Sequence, residues 1–311
     1  MNKLTHAVYL CVLLLGFTSA IVGQSQYKPA IEYHSFMDMR FYENQGGFLV
    51  ERLEVVFPPA GVKKGTFVIS KASGEVVKTV PLRLQAPLDT FTVFGMFEPD
   101  GVPGNANVGE PGDYVLSVKI GDQTLTKLPF SLKREASSDP FNPKTTFVRE
   151  GPWRDLAYFS SRTDDPASHL VLTWWTNMRE IPAGNPRPLV TLHIMRGAQE
   201  IATTRSPVVL SQTDWQYFNQ EFHFPTEKQV RWMTLADLTK QDGDYTIVAK
   251  VNGKQFKSYK AQVRGGQLQR LPQNQLGFEP ATDFVSPRMV DTSAGTTSRY
   301  VMKDTYWVRK N

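Results

Sequence analysis

Cysteine is nearly absent from this 311-residue chain: the single one, Cys11, lies inside an apolar N-terminal run. A mature form without that run has no thiol, which excludes disulfides, cysteine-ligated zinc, iron–sulfur clusters and a cysteine nucleophile. Asn-x-Ser/Thr glycosylation sites are also missing. Charge of one sign is scarce, with 35 basic against 30 acidic residues and a net charge of +5. No region has the basic excess of a nucleic-acid binder. After the N-terminal run, no apolar stretch approaches the roughly 20 residues of a membrane-crossing helix. There is no Gly-x-Ser-x-Gly elbow, His-Glu-x-x-His helix or Gly-rich phosphate loop, so the familiar hydrolase and nucleotide signatures are missing. What remains is a globular composition, 41% hydrophobic with 22 Gly and 21 Pro, in a chain long enough for two domains.

Residues 1–23 read as a secretory signal peptide, with Lys3 near the start, an apolar run from Ala7 to Phe17, and small residues at Thr18-Ser19-Ala20 and Gly23. Cleavage is expected after Ala20 or Gly23. Cys11 sits within the run rather than after it, which argues against a lipid anchor. Export without disulfides or glycosylation sites favours a periplasmic or secreted bacterial protein.

The strongest internal signal is a duplication. Gly112-Asp113-Tyr114-Val115-Leu116-Ser117-Val118-Lys119-Ile120 aligns with Gly243-Asp244-Tyr245-Thr246-Ile247-Val248-Ala249-Lys250-Val251. Gly121-Asp122 and Asn252-Gly253 then occupy equivalent places between two alternating runs, as two-residue hairpin turns do. Upstream, Glu75, Pro81 and Leu84 align with Glu200, Pro207 and Leu210, and Phe36, Met39 and Phe41 with Trp153, Leu156 and Tyr158. Drifting offsets mean loop insertions between equivalent strands. The expected layout is a signal peptide (1–23), a first β-domain (24–134), a linker (135–144), a second β-domain (145–264) and an irregular tail (265–311). Thr66–Ser70 and Val190–Ile194 are β-branched strands followed by glycine turns, and the best helical candidate, Glu227–Leu238, is short.

Each Gly-Asp-Tyr followed by a strand, a tight turn and a last strand resembles the final hairpin of immunoglobulin-like and fibronectin-type-III-like modules. The resemblance implies an all-β chain of two tandem Ig-like antiparallel β-sandwiches. It also implies that Tyr114 and Tyr245 close a corner by hydrogen-bonding to upstream backbone. The Cys pair of antibody domains is missing, and a fold of this kind does not assign a function.

Candidate chemistry is sparse. His193 and His223 lie on strands and could meet Glu221 or Asp214; His34 and His169 complete the histidine supply after residue 23. Asp242-Gly243-Asp244 has calcium-loop spacing, but the first copy reads Pro111-Gly112-Asp113, so a turn that positions Tyr245 explains both. Trp174 and Trp175 are adjacent on a strand and must point to opposite faces. With Trp215 and Tyr217 the outward ring could bind a ligand such as a sugar, or it could pack under the tail or against the other domain. The tail ends in strand-like Tyr300–Met302 and Thr305–Val308, which could dock on the chain itself. The expectation is an exported, non-catalytic protein that presents its modules to a protein or envelope partner, without cofactor, metal or nucleic acid. The alternatives are a polysaccharide binder using those aromatics and a hydrolase with an unrecognised site.

Overall fold

The structure is a computed structural model describing residues 64–85, 104–136, 145–162, 165–184, 187–211, 215–225, 229–272 and 303–311, with short strands at 30–31, 40–42, 47–50, 53–56 and 94–99. The expected signal peptide, His34 and Asp214 lie outside the described residues.

The chain is all-β. Its first half contains β1 (Ala30–Ile31), β2 (Arg40–Tyr42), β3 (Gly47–Val50), β4 (Leu53–Val56), β5 (Lys64–Lys71), β6 (Val76–Gln85), β7 (Phe94–Pro99), β8 (Gly104–Asn107), β9 (Gly112–Ile120), β10 (Gln123–Ala136) and β11 (Thr145–Glu150). The second half contains β12 (Leu156–Arg162), β13 (Val171–Thr176), β14 (Leu189–Arg196), β15 (Gln199–Thr204), β16 (Val208–Val209), β17 (Gln216–His223), β18 (Gly243–Val251), β19 (Lys254–Arg264), β20 (Gln267–Leu268) and β21 (Lys303–Lys310). One α-helix, α1 (Leu235–Thr239), falls within and beyond the expected helical stretch. It starts at a capping box in which Thr234 and Asp237 satisfy each other's backbone amides.

Two sheets carry the architecture, and their strand orders correspond position by position. The first runs β1-β4-β7-β6-β5-β9-β10-β11; the second runs β12-β13-β17-β15-β14-β18-β19-β21 and returns from β21 to β12. The first sheet is an open half-barrel and the second a closed eight-stranded barrel. Strands β2, β3 and β8 form a separate small sheet. In this order β1, not the stretch around Phe41, takes the place of β12, because β2 is drawn away by pairing with β3.

The duplicated hairpins explain this agreement. Tyr114, Leu116 and Val118 on β9, and Leu128, Phe130 and Leu132 on β10, are buried on one face, as are Tyr245, Ile247, Ala249, Tyr259, Ala261 and Val263 on β18 and β19. That is period-two burial, repeated at aligned positions. At the second hairpin turn Asn252 and Gly253 have φ of 51° and 77°, the left-handed pair that a tight hairpin requires.

Tyr300–Met302 lie outside the described residues, but the C-terminal segment ends as the strand-like Thr305–Val308 suggests, docked on the chain itself, although the tail as a whole is expected to be irregular. Rather than ending in irregular chain, it finishes in β21, which pairs with β12 over seven residues from Leu156↔Arg309 to Arg162↔Lys303, and with β19 at Tyr259↔Lys310 and Lys260↔Arg309. At the start of the expected second domain, β11 adds to β10 of the first sheet from Ser131↔Glu150 to Ala136↔Thr145. The two strands share a sequence, Thr145-Thr146-Phe147-Val148-Arg149 and Thr305-Tyr306-Trp307-Val308-Arg309. Each comes after the last hairpin of its copy and pairs with that hairpin's final strand.

The barrel interior is filled by Phe159, Trp174, Phe222, Tyr259 and their neighbours, as an eight-stranded barrel of this diameter allows. A second apolar cluster joins the halves: Phe67, Leu116 and Phe130 of the first lie in one cluster with Trp153, Tyr158, Trp175, Trp215 and Trp307 of the second. The outer faces of β12, β13 and β21 are therefore core where they meet the first half. At the junction the Trp153 ring packs directly against Gly151, in space that a Cβ there would occupy.

Candidate functional site

The aromatic residues singled out from sequence are not presented to solvent together. Trp174 points into the barrel, its ring 5.7 Å from that of Phe218. Trp175 points outward, as strand alternation requires, but is fully buried beside Tyr158, whose ring also lies 4.8 Å from Trp307 of β21. The outward ring thus packs both under the C-terminal strand and in the cluster shared with the first half. Trp215 is 6% exposed and donates its indole N–H to the Arg149 carbonyl at 2.8 Å, and Tyr217 is half-buried against the same cluster. These four rings form no common stacking platform: Trp174 is inside the barrel, Trp175 and Trp215 are buried in the cluster shared with the first half, and Tyr217 alone is partly exposed.

The two corner tyrosines are placed alike. Tyr114 Oη donates to the Glu110 carbonyl and Tyr245 Oη to the Gln241 carbonyl, each four residues upstream and each at 2.8 Å.

The histidines divide into separate pairs. His193 Nδ1 is 2.9 Å from Glu200 Oε2 and its Nε2 is 2.9 Å from Thr191 Oγ1. His193 and His223 both face Thr203 in register, one on each side, so they stand two strands or roughly 10 Å apart. Glu221 joins neither; its Oε1 meets His169 Nδ1 at 3.0 Å. Among the described residues no group of three or more His, Cys, Asp or Glu side chains could hold a metal ion. Asp242 accepts the amides of Gly265 and Gly266, and Asp244 pairs with Arg264. The Asp-Gly-Asp turn therefore spends its carboxylates on the chain. The Asp242 carboxyl is held below its ordinary value by those two amides.

The outer wall of the barrel is built in cross-strand rows. Leu156, Trp175 and Tyr217 lie at the end shared with the first half. Tyr158, Thr173 and Asn219 form the next row, with Thr173 Oγ1 donating to Asn219 Oδ1 at 2.7 Å. Ser160, Val171 and Glu221 form the third. The face thus changes from aromatic to polar in steps of two residues per strand.

Two adjoining cavities, about 570 and 270 Å³, open at the polar end and share Ser160, Val171 and Glu221. Arg205, Ser206, Asn219, Gln220 and Trp232 complete the larger one; Ser161, Ser168 and His169 are among those lining the smaller. Ser160 is 1% exposed, and its hydroxyl has no hydrogen-bond partner. Buried hydroxyls nearly always have one.

Trp232 is presented by the segment leading into α1. Its ring stacks on His169 at 5.1 Å and meets the edge of His223 at 6.3 Å. Behind it, Arg231 lies over the Phe224 ring at 3.8 Å and pairs with Asp237. Burial opposes ionisation of Asp237, but hydrogen bonds from Thr234 and Arg231 outweigh it and hold the carboxyl below its ordinary value. Trp232 is thereby held in place by a capped turn.

At the other end of the wall is a buried ion cluster. Lys257 Nζ donates to Glu180 Oε2 at 2.8 Å and to the Trp175 carbonyl at 2.9 Å, and Lys310 of β21 reaches Glu180 Oε1 at 3.2 Å. Burial pushes the Lys257 ammonium down to about 8, against the pull of Glu180. Its side chain has no exposed surface, so it fastens strands rather than meeting a ligand.

Sequence reasoning passed over Ser160, Asn219, Gln220, Arg205 and Trp232. Part of the signal was readable: Tyr217, Asn219 and Glu221 alternate on one strand face. What they face, however, comes from a strand more than 40 residues away, as in the Thr173–Asn219 pair with a separation of 46.

No protein-family profile matches this chain, and no curated protein matches it. Among solved structures, one described as the paired C2-type domains of extended-synaptotagmin 2 aligns over 88% of this chain and 94% of its own, at 13% identity and a TM-score of 0.14. At that score it bears on neither fold nor function. Among the described residues no helix is long and apolar enough to cross a membrane.

Proposed function

We propose that this chain is an exported, non-catalytic binding protein whose two β-modules act together and which engages an envelope or extracellular partner through the polar groove on the outer wall of the barrel. The observation that carries this reading is the groove itself: the barrel interior is filled with side chains, whereas the groove is lined by Ser160, whose buried hydroxyl is unmet, and by the half-buried indole of Trp232. Export rests on residues 1–23 alone.

Each module is read as an Ig-like unit. Support comes from the neighbours: β12, β13 and β17 on one side and β14, β18 and β19 on the other correspond to the A, B, E and C, F, G groupings of such sandwiches. The seams that close the barrel, β15–β17 and β19–β21, are only two residue pairs each. The repeating unit then includes its terminal strand, giving modules 24–150 and 151–311. A catalytic reading finds little support, since Glu221 is paired with His169 rather than joined to His193 and His223.

The test is retention in the envelope fraction of the native host. Wild-type protein is expected to be retained, and a folded Trp232→Ala/Glu221→Gln variant to be released. Equal retention of both overturns the reading.

A further inference from the structure

We infer that the occupant of the groove is a carbohydrate, bound with one face of a pyranose ring near Trp232 and with its hydroxyls on the polar wall. This inference rests on the proposed binding role of the groove.

The lining selects the ligand class. A lipid or an apolar side chain needs an apolar pocket, and the larger cavity offers only Val171 and Trp232 as apolar surface. A strand-adding peptide needs a free backbone edge, and β12, β13 and β17 each have pairing partners on both sides. A phosphate needs converging positive charge or backbone amides, and Arg205 shares the cavity with the Glu221 carboxylate. A sugar ring has an apolar C–H face and a rim of hydroxyls that both donate and accept. Trp232 suits the face. Asn219 donates and accepts, Glu221 accepts, and Arg205 donates, which suits the rim.

Ser160 supplies the second, independent observation. Ser160 lines both cavities, and its hydroxyl is buried just behind their surface without a partner. Leaving such a group unmet costs stability, and a bound hydroxyl would satisfy it. The groove spans two joined cavities, so the expected ligand is longer than one ring.

Tryptophan fluorescence can read the event, because of the six tryptophans Trp153, Trp174, Trp175, Trp215 and Trp307 are buried and only Trp232 is partly open. The full-length mature protein is titrated with cellohexaose, laminarihexaose, chitohexaose and mannohexaose, and binding is confirmed by calorimetry. Saturable binding of at least one is expected. Trp232→Ala should weaken it about tenfold or more. Ser160→Ala should weaken it several-fold while leaving the melting temperature unchanged or raised, which a purely structural serine would not do.

If none of the four sugars binds up to millimolar concentration, the carbohydrate inference is overturned. Envelope retention of Trp232→Ala/Glu221→Gln then separates the two ideas. Release of the variant leaves the groove as the binding surface for some other partner. Retention equal to wild type removes the groove reading as well. Sugar binding unaffected by Trp232→Ala and Ser160→Ala also overturns the inference, since the sugar would then sit elsewhere.

Discussion

The two halves use the same eight-strand order, but among the described residues one closes and the other does not. The difference lies in the terminal strand of each copy. In the first half β11 pairs with β10 over six residues, and the sheet ends there among the described residues. In the second, β21 pairs with β12 over seven residues and reaches β19 at two more, turning an open sheet into a ring. A duplicated strand with nearly the same sequence thus has different neighbours. Chain connection on either side of the strand sets them apart: β11 runs within six residues into β12 of the next copy, whereas β21 is reached after the long segment from β20. The closed copy has an interior filled with side chains, so the binding proposed for it has to use its outside wall.

This comparison can be broken most severely by deleting residues 303–311. The barrel loses the strand between β12 and β19 and the Trp307 ring of the shared cluster. Amide exchange should rise sharply in β12 and β19 while β5 and β9 keep more of their protection. Uniform protection in both halves would mean that closure by β21 is dispensable.

The junction comes next. Trp215→Ala removes a buried ring and its bond to the Arg149 carbonyl, and should cost about 3–5 kcal/mol in denaturant unfolding. Gly151→Ala pushes against the Trp153 ring and should cost about 1–3 kcal/mol. A change below about 0.5 kcal/mol in either variant would indicate that the halves do not share a packed interface.

The ion cluster sharpens the comparison through pH. Lys257 is held at about 8 in the folded protein, below its ordinary 10.5, so between those values the unfolded chain keeps a proton that the native one has lost. Stability contributed by this group therefore rises with pH across that window. Urea unfolding at pH 7.5 to 10.5 should show a steeper upward trend in wild type than in Lys257→Met. The opposite order would contradict the burial of the ammonium.

The smallest effects are expected at the matched tyrosines. Tyr114→Phe and Tyr245→Phe each lose one hydrogen bond of the same length to backbone, so each should cost about 1 kcal/mol. Clearly unequal losses would show that the two corners are not equivalent.

Much of this architecture was legible because it is local. Gly112-Asp113-Tyr114 and Gly243-Asp244-Tyr245 identify their hairpins within about 25 residues, and alternation identifies the faces of β9 and β18. Alternation also shows that Trp174 and Trp175 point apart, but not that the first half covers the outward one. The shared Thr-x-aromatic-Val-Arg of β11 and β21 was equally readable. It is obscured by drawing domain boundaries at 145 and 264, which split each strand from its hairpin. The groove was the least legible part. Ser160, Val171 and Glu221 become neighbours only when β12, β13 and β17 take adjacent places in the barrel, and Trp232 reaches them from the turn before α1.

Barrel closure can be tested most directly by paired cysteines, which a chain whose single thiol is Cys11 reports cleanly once Cys11 is replaced by serine. Arg162 and Lys303 face each other across β12–β21, and Lys260 and Arg309 across β19–β21. Register partners lie about 4.5–5.5 Å apart at Cα, within disulfide reach. Oxidised Arg162→Cys/Lys303→Cys and Lys260→Cys/Arg309→Cys should each form an intramolecular bond with no loss of cooperative unfolding. Failure of either pair to link within one chain, with the protein folded, would contradict a ring closed by the C-terminal strand.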